Sequence, residues 1–402
     1  MHNTRCITQD IIWIGASDNR LELFENVYPL PLGVSYNSYL LKDEKTALLD
    51  TVDTSVSQQF FDNLQYELNG KTLDYLIVNH MEPDHCAEIA NVLLRYPEVK
   101  IVCNLQTKKM IAQFFELNLS EENYILVKEG DTLNTGKHTL SFISAPMVHW
   151  PEVMMTYDNI DRILFSADAF GTFGALNGNI FSDEVNFERD YLDEARRYYT
   201  NIVGKYGTNV QNVLTKASAL NIDIICPLHG FIWRKNLDWF IRKYQQWSKY
   251  EAEDKDVIIA YGSIYGNTYN AAAVLATRLA EMGIKNIKMY DVSKTHASYI
   301  ISEAFRSSVI VLAAATYNAG IFVNMDNLLH DLIAHNLQNR FFAVMDNGTW
   351  APVAGKQMRE ELAKLKNCII LEPNISIKSA LKDSQQDEIN ELAKAIKSVL
   401  LD

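Results

Sequence analysis

The sequence predicts an α/β protein of two domains, the second of them a five-stranded doubly wound parallel sheet. Three observations carry this expectation. At 402 residues the chain is longer than one ordinary hydrophobic core organises. Short apolar runs bounded by Gly, Asn and Asp alternate with stretches of helical character along its whole length. The pattern then changes after residues 249–256, a charged segment (Lys-Tyr-Glu-Ala-Glu-Asp-Lys-Asp) without apolar periodicity that reads as a linker. The expected domains are therefore residues 1–250, with sheets in the interior, and residues 251–402.

In the first domain the apolar runs place strands at 36–41, 46–49, 75–78, 101–104, 140–145, 162–166 and 222–226. Helices are expected at 56–68, 88–95, 108–115, 191–203 and 209–220. The second domain is more regular. Strands at 257–260, 287–290, 309–314, 341–345 and 368–371 are continuous apolar runs, as strands covered on both faces should be. Each is followed by a helical stretch, at 269–281, 302–306, 325–335, 355–365 and 387–401, long enough to cross back to a parallel neighbour.

Composition narrows the function classes. With 48% hydrophobic and 22% charged residues the chain has the make-up of a soluble globular protein. A formal net charge of -13, without basic patches, argues against nucleic acid or an anionic membrane surface as a partner. The first ten residues lack a secretory apolar core and no apolar stretch approaches bilayer length, so the expected location is the cytoplasm. The cysteines, Cys6, Cys86, Cys103, Cys226 and Cys368, form no Cys-x-x-Cys pair; they read as reduced thiols, and no zinc-ribbon module is expected.

The densest chemistry lies at Asn79-His-Met-Glu-Pro-Asp-His85, directly after the apolar run Tyr75-Leu-Ile-Val78. A strand ending in this way presents the alternate residues His80, Glu82 and Asp84 to one side, with His85 turned back at the start of a helix. Three further residues follow apolar strands in the same manner: His149 after 142–145, Asp168 after 163–166 and His229 after 224–226. Singly each has a structural explanation, as a core histidine, a helix cap or a loop residue. Together the seven offer four imidazoles and three carboxylates, too many for one catalytic ion and suited to two with a bridging carboxylate. His2, His138, His296, His330 and His335 lack comparable neighbours and read as surface or structural residues.

A second constellation opens the second domain. Val257-Ile-Ile-Ala-Tyr-Gly-Ser-Ile-Tyr-Gly-Asn-Thr268 passes from strand through a Ser/Gly/Asn/Thr turn into a helix. Hydroxyls and backbone N–H groups at a helix N-terminus suit a phosphate monoester, although the same turn could serve only as a cap. Thr316-Tyr-Asn-Ala-Gly-Ile-Phe322 and Asn347-Gly-Thr-Trp350 follow the third and fourth strands. All three loops thus share the carboxyl edge of a parallel sheet, where ligands bind. Tyr317 or Trp350 could flank a planar ring there, or serve as a core or interface residue.

The order His-x-Glu-x-Asp-His, then His, Asp and His, resembles the metallo-β-lactamase fold, whose familiar form has histidine where this chain has Glu82. A carboxylate there hardens the site and moves its preference from zinc toward iron or manganese. The three later loops resemble flavodoxin, whose ligand is FMN. A metallo-β-lactamase-like αββα sandwich carrying Glu82, joined to a flavodoxin-like domain, resembles the flavodiiron proteins (A-type flavoproteins) over essentially the whole chain.

That resemblance implies one iron held by His80, Glu82 and His149, another held by Asp84, His85 and His229, and Asp168 bridging them. It implies an FMN phosphate loop of Ser263, Ile264, Tyr265, Gly266, Asn267 and Thr268. The second loop would be Thr316, Tyr317, Asn318, Ala319 and Gly320, and the third Asn347, Gly348, Thr349 and Trp350. Ala314-Ala315 stands where the family usually has Ser-Pro. The activity implied is reduction of dioxygen to water, of nitric oxide to nitrous oxide, or of both. Electrons would reach the irons through FMN from a separate donor such as rubredoxin or reduced deazaflavin, because no rubredoxin module is fused. Family members work as head-to-tail homodimers, or dimers of dimers, in which one subunit's FMN meets the other's irons. Two other classes stay open: a binuclear zinc hydrolase with an appended electron-carrier domain, and an electron-transfer flavoprotein whose metal site is only structural.

Overall fold

The structure is a computed structural model that describes residues 1–401; Asp402 lies outside the described residues. The chain divides into two compact units: Met1–Tyr199 with Thr208–Gln245, and Thr200–Gly207 with the chain from Gln246 onward. The longer segment of the second unit thus starts inside the helix Leu237–Ser248, a stretch in which no helix was expected from sequence.

The first unit holds two sheets. One runs in the order Arg5–Cys6, Ile11–Trp13, Tyr39–Lys42, Thr46–Leu49, Tyr75–Ile77, Lys100–Cys103 and Tyr124–Leu126. The other runs Thr132–Asn134, Thr139–Ser144, Met154–Asp158, Ile163–Phe165 and Ile224–Cys226. Their inner faces meet where the ring of Tyr39 lies 5.2 Å from that of Phe165. Tyr75–Ile77 is paired in parallel on both sides, with Thr46–Leu49 and with Lys100–Cys103. Buried so, its exit is held rigidly.

Several departures from the sequence expectation have physical causes. The strand expected at 36–41 is two strands, Val34–Tyr36 and Tyr39–Lys42, in different sheets. Between them buried Asn37 turns inward, donating to the carbonyls of Pro227 and Gly230 and accepting from Trp13 Nε1. Met154–Asp158 escaped notice because it carries polar residues, yet all five are buried. Thr156 donates to Asn79 Oδ1, and Asp158 pairs with His138. The helix expected at 191–203 is α-helical only over Leu192–Tyr198 and continues as a π turn over Tyr199–Val203.

In the second unit the parallel strands are ordered Lys288–Asp291, Asp254–Gly262, Ser307–Tyr317, Phe341–Asn347 and Ile369–Ile370, the flavodoxin-type order 2-1-3-4-5. Val257, Ile259, Val309 and Val311 pack against Ala271, Leu275 and Leu279 of the helix Asn267–Glu281 and against Leu392 and Ile396 of Gln386–Leu401. The first strand begins at Asp254, inside the segment read as linker, and Asp256 is buried. The helix expected at 302–306 runs over Ala297–Arg306, its first turn capped by His296 accepting from Ser298 N–H. The fifth strand is split: Ile369–Ile370 and Ile375–Ile377 both pair with Phe341–Asn347, and Pro373, which has no N–H to give the ladder, lies between them. Among the described residues no helix is long and apolar enough to cross a membrane.

Candidate metal centre and candidate phosphate cleft

The chain leaves Tyr75–Ile77 through a turn that is tied down before any ligand is placed. Asp50 Oδ1 accepts from the backbone N–H groups of Asn79 and His80 at 2.7 and 3.2 Å, and its Oδ2 accepts from Asn79 Nδ2 at 2.7 Å. Burial pushes the Asp50 carboxyl up to about 6, against these bonds that favour its charge. Pro83 opens the short helix Pro83–Cys86 at its first position, where the missing N–H costs nothing. Glu82 stands at the cap without a capping bond, so its carboxylate remains available to the site. Thr51 donates from N–H and from Oγ1 to the His85 carbonyl, each at 2.8 Å, fixing the far end of the turn.

All seven candidates come together, in two neighbouring groups: His80, Glu82, His149 and Asp168, and Asp84, His85 and His229. Each group's ligand atoms lie within 4.8 Å of one another and every member is buried. In the first, His149 Nε2 stands 2.9 Å from Glu82 Oε2 and 3.1 Å from Asp168 Oδ2, and His80 Nε2 stands 3.3 and 3.5 Å from the same two oxygens. In the second, His85 Nε2 and His229 Nε2 face each other at 3.0 Å, with Asp84 Oδ2 3.4 and 3.2 Å away. Asp168 reaches the second group through its other oxygen, with Oδ1 3.2 Å from His85 Nε2.

These spacings are the edges of a coordination polyhedron: bonds of about 2.1 Å to a common ion leave ligand atoms roughly 3.0–3.4 Å apart. The tautomers agree. His229 Nδ1 lies 2.8 Å from the Ser35 carbonyl and His80 Nδ1 2.8 Å from Glu152 Oε1, both acceptors, so each ring carries its proton there and turns the Nε2 lone pair into the site. The His229 Nε2 lone pair so turned faces His85 Nε2 at 3.0 Å, a spacing that suits two imidazoles sharing one cation. Asp84 Oδ1 and Oδ2, Asp168 Oδ1 and His85 Nδ1 are buried without hydrogen-bond partners, a costly arrangement that bound cations would relieve.

The electrostatics make the same demand. Burial disfavours charge on Asp168, yet His85 and His80 beside it hold its carboxyl well below the usual range. Burial likewise opposes charge on His149, but its bonds to Asp168 and Glu82 lift it to about 9. Glu25 is an exposed residue whose carboxyl is raised to about 8 by partial desolvation and by the nearby Glu82 carboxylate.

Sequence reasoning missed Glu152, Asp50, Ser35 and Glu25. Glu152 lay close to hand, three residues beyond His149, but a lone carboxylate on a loop gives no signal until its partner is placed. His138 is a correction. Far from lacking neighbours, it is buried, with Nδ1 3.0 Å from Asp158 and Nε2 3.2 Å from Asp10, and it forms a third cluster with Asp158 and Asp161. Both of its ring nitrogens are thus engaged, which suits a structural clamp. Gly230 sets His229 beside Thr172: its φ is +75° and an added Cβ would stand 2.7 Å from Thr172 Cβ.

In the second unit the three predicted loops line a cleft of about 480 Å3 at the carboxyl ends of the strands. Ser263, Ile264, Tyr265, Asn267, Thr268, Thr316, Asn318, Ala319, Asn347, Gly348, Thr349 and Trp350 line it as expected, joined by Ala315, Ala351 and Ser379. Gly266, Tyr317 and Gly320 are not among these lining residues. Gly266 instead makes the turn, with φ +93° and its N–H on Ser263 Oγ, while Tyr317 packs edge-on to Phe322. The helix Asn267–Glu281 begins among these lining residues with no side-chain capping bond, which leaves its first-turn N–H groups for an anion. Tyr265 and Trp350, 94% and 81% exposed, stand at the rim.

Comparison with known proteins agrees with both halves. A profile described as ODP family beta lactamase matches residues 34–230. An anaerobic nitric oxide reductase flavorubredoxin of Vibrio vulnificus is 32% identical over 86% of this chain and 70% of its own. An uncharacterized protein of Methanocaldococcus jannaschii is 28% identical over 98% of each chain. Among solved structures, rubredoxin oxygen:oxidoreductase of Desulfovibrio gigas superposes with a TM-score of 0.92 at 25% identity, covering 99% of this chain and 98% of that one. A mutant of the flavo di-iron protein of Thermotoga maritima gives 0.90 at 28% identity with the same coverage. The fold is a metallo-β-lactamase-like domain followed by a flavodoxin-like domain.

Proposed function

Because this chain belongs to the flavodiiron protein family and is an oxidoreductase, we propose that it reduces dioxygen to water, nitric oxide to nitrous oxide, or both, at two iron ions supplied with electrons through FMN. The observation that carries the reading is Asp168, whose two oxygens face two separate sets of imidazole and carboxylate ligands, one of them containing Glu82. When bound, the iron pair and FMN together supply redox equivalents for the small substrate.

The chain's own residues do the rest. His80, Glu82 and His149 would hold one ion and Asp84, His85 and His229 the other, with an oxygen of Asp168 offered to each. Asp50 and Thr51 fix the ligand turn so that the polyhedra are set before a substrate arrives. Burial of all seven side chains excludes bulk water, which strengthens every charge interaction inside. Hydroxyls of Ser263 and Thr268, which line the cleft, and the N–H groups opening the helix at Asn267 would hold the FMN phosphate, with Trp350 on the same cleft available to the flavin. The electron donor is a separate small redox protein such as rubredoxin, or reduced deazaflavin.

The working unit is a head-to-tail homodimer in which one chain's FMN serves its partner's irons. Metal and flavin analysis of protein purified without added metal tests the cofactors, with two irons and one FMN per chain expected. Sedimentation tests the assembly: a monomer with full activity would sink the dimer.

A further inference from the structure

The two metal positions have matching ligands and unmatched surroundings. Each counts two imidazoles, one carboxylate of its own and one oxygen of Asp168. Behind the first, His80 Nδ1 meets Glu152 Oε1 at 2.8 Å, and the same oxygen accepts the Met81 N–H at 2.9 Å. Glu152 is buried and its second oxygen has no hydrogen-bond partner, so its charge is little screened. Behind the second position, His229 Nδ1 meets only the neutral Ser35 carbonyl at 2.8 Å, and His85 Nδ1 has no partner.

We infer that Glu152 is a positioning residue that makes the two metal positions unequal, favouring tighter cation binding and the more oxidised iron at the His80, Glu82 and His149 position. An imidazole whose N–H donates to a carboxylate becomes a stronger base at its other nitrogen. A carbonyl draws far less on its donor, and an unpartnered nitrogen nothing. The first position therefore receives extra negative charge through His80, which stabilises a higher charge on the ion. The loop that carries His149 also delivers Glu152, and Asn104 Nδ2 holds the Glu152 carbonyl at 2.6 Å, so ligand and backing carboxylate are placed together. This rests on the two-metal reading of the site.

The test uses the full chain with its metal removed, titrated anaerobically with Co2+ and followed by calorimetry and visible absorption. The wild type should bind two ions in unequal steps. Glu152→Gln, which keeps the shape but removes the charge, should weaken the tighter step 10–100-fold and leave the weaker one in place. Glu152→Asp should restore part of that loss. In the iron-loaded protein, Glu152→Gln should raise the lower of the two iron potentials and leave the other unmoved. Equal weakening of both steps, or no change in either, in a variant with wild-type circular dichroism and FMN content overturns the inference. Equal binding steps in the wild type overturn it without any variant. Uptake of fewer than two ions by the wild type instead defeats the two-metal reading itself.

Discussion

The candidate metal centre and the phosphate cleft both sit at the carboxyl ends of strands, yet they are built from opposite materials. The first is made of side chains: His80, His85, Asp168 and His229 are fully buried, and Glu82, Asp84 and His149 join them with little exposure. The second is made largely of loop backbone and hydroxyls, with its aromatic residues Tyr265 and Trp350 left in solvent. The stability of each site accordingly has a different source. Unmet charge in the metal centre is a demand that the protein alone does not satisfy, whereas the cleft owes its shape to an apolar sheet that is complete without a ligand. Metal should therefore matter to folding in one unit, and flavin only to occupancy in the other.

The sharpest way to break that contrast is to remove the residue serving both ions. Asp168→Asn should lower turnover by roughly a thousandfold, the equivalent of about 4 kcal/mol, with FMN content retained. Measured activity within tenfold of wild type would make the metal centre structural. Metal removal comes next. A chelator should destabilise the first unit by about 4 kcal/mol, the gain from ions present at roughly a thousand times their dissociation constant, and leave FMN affinity unchanged. Differential scanning calorimetry with and without chelator reads it.

His138 offers a control inside the first unit but away from the metals. Burial alone would lower its pKa; the bonds to Asp10 and Asp158 raise it above its ordinary value. A raised histidine stabilises fully below its unfolded value of about 6.5 and loses that contribution as pH climbs through the folded value. His138→Gln, which takes the imidazolium away from buried Asp158 and leaves it only the Ile160 and Asp161 N–H groups, should cost ~3 kcal/mol in denaturant melts at pH 6 and less at pH 9. A pH-independent loss would mean that the clamp works uncharged. The smallest effect belongs to the cleft. Trp350→Ala should weaken FMN by about 1 kcal/mol, read by flavin fluorescence, without altering thermal stability.

The same contrast explains what was legible in the sequence. Histidine and carboxylate at strand ends announce themselves by type, so all seven candidate ligands could be singled out before any geometry was known. The cleft was legible only as a pattern: three polar loops at parallel strand ends named most of its lining, but Ala315, Ala351 and Ser379 carry no chemical signal, and Tyr317 turns to Phe322 instead. Strands read poorly wherever polar residues were satisfied internally. Met154–Asp158 is the clearest case, since Thr156 and Asp158 look exposed until Asn79 and His138 are set beside them. Glu152 and Asp50 were hidden for the same reason: their function lies in which group they face.

The proposed activity turns on whether the seven buried residues take up a redox-active iron pair that FMN serves. The most direct measurement is anaerobic turnover of protein loaded with iron and FMN, given a reduced donor and supplied with O2 or NO under matched conditions. Donor oxidation coupled to consumption of at least one gas, lost in Asp168→Asn, is the expected result. Two zinc ions per chain, with thioester or lactam hydrolysis and no consumption of either gas, would contradict it.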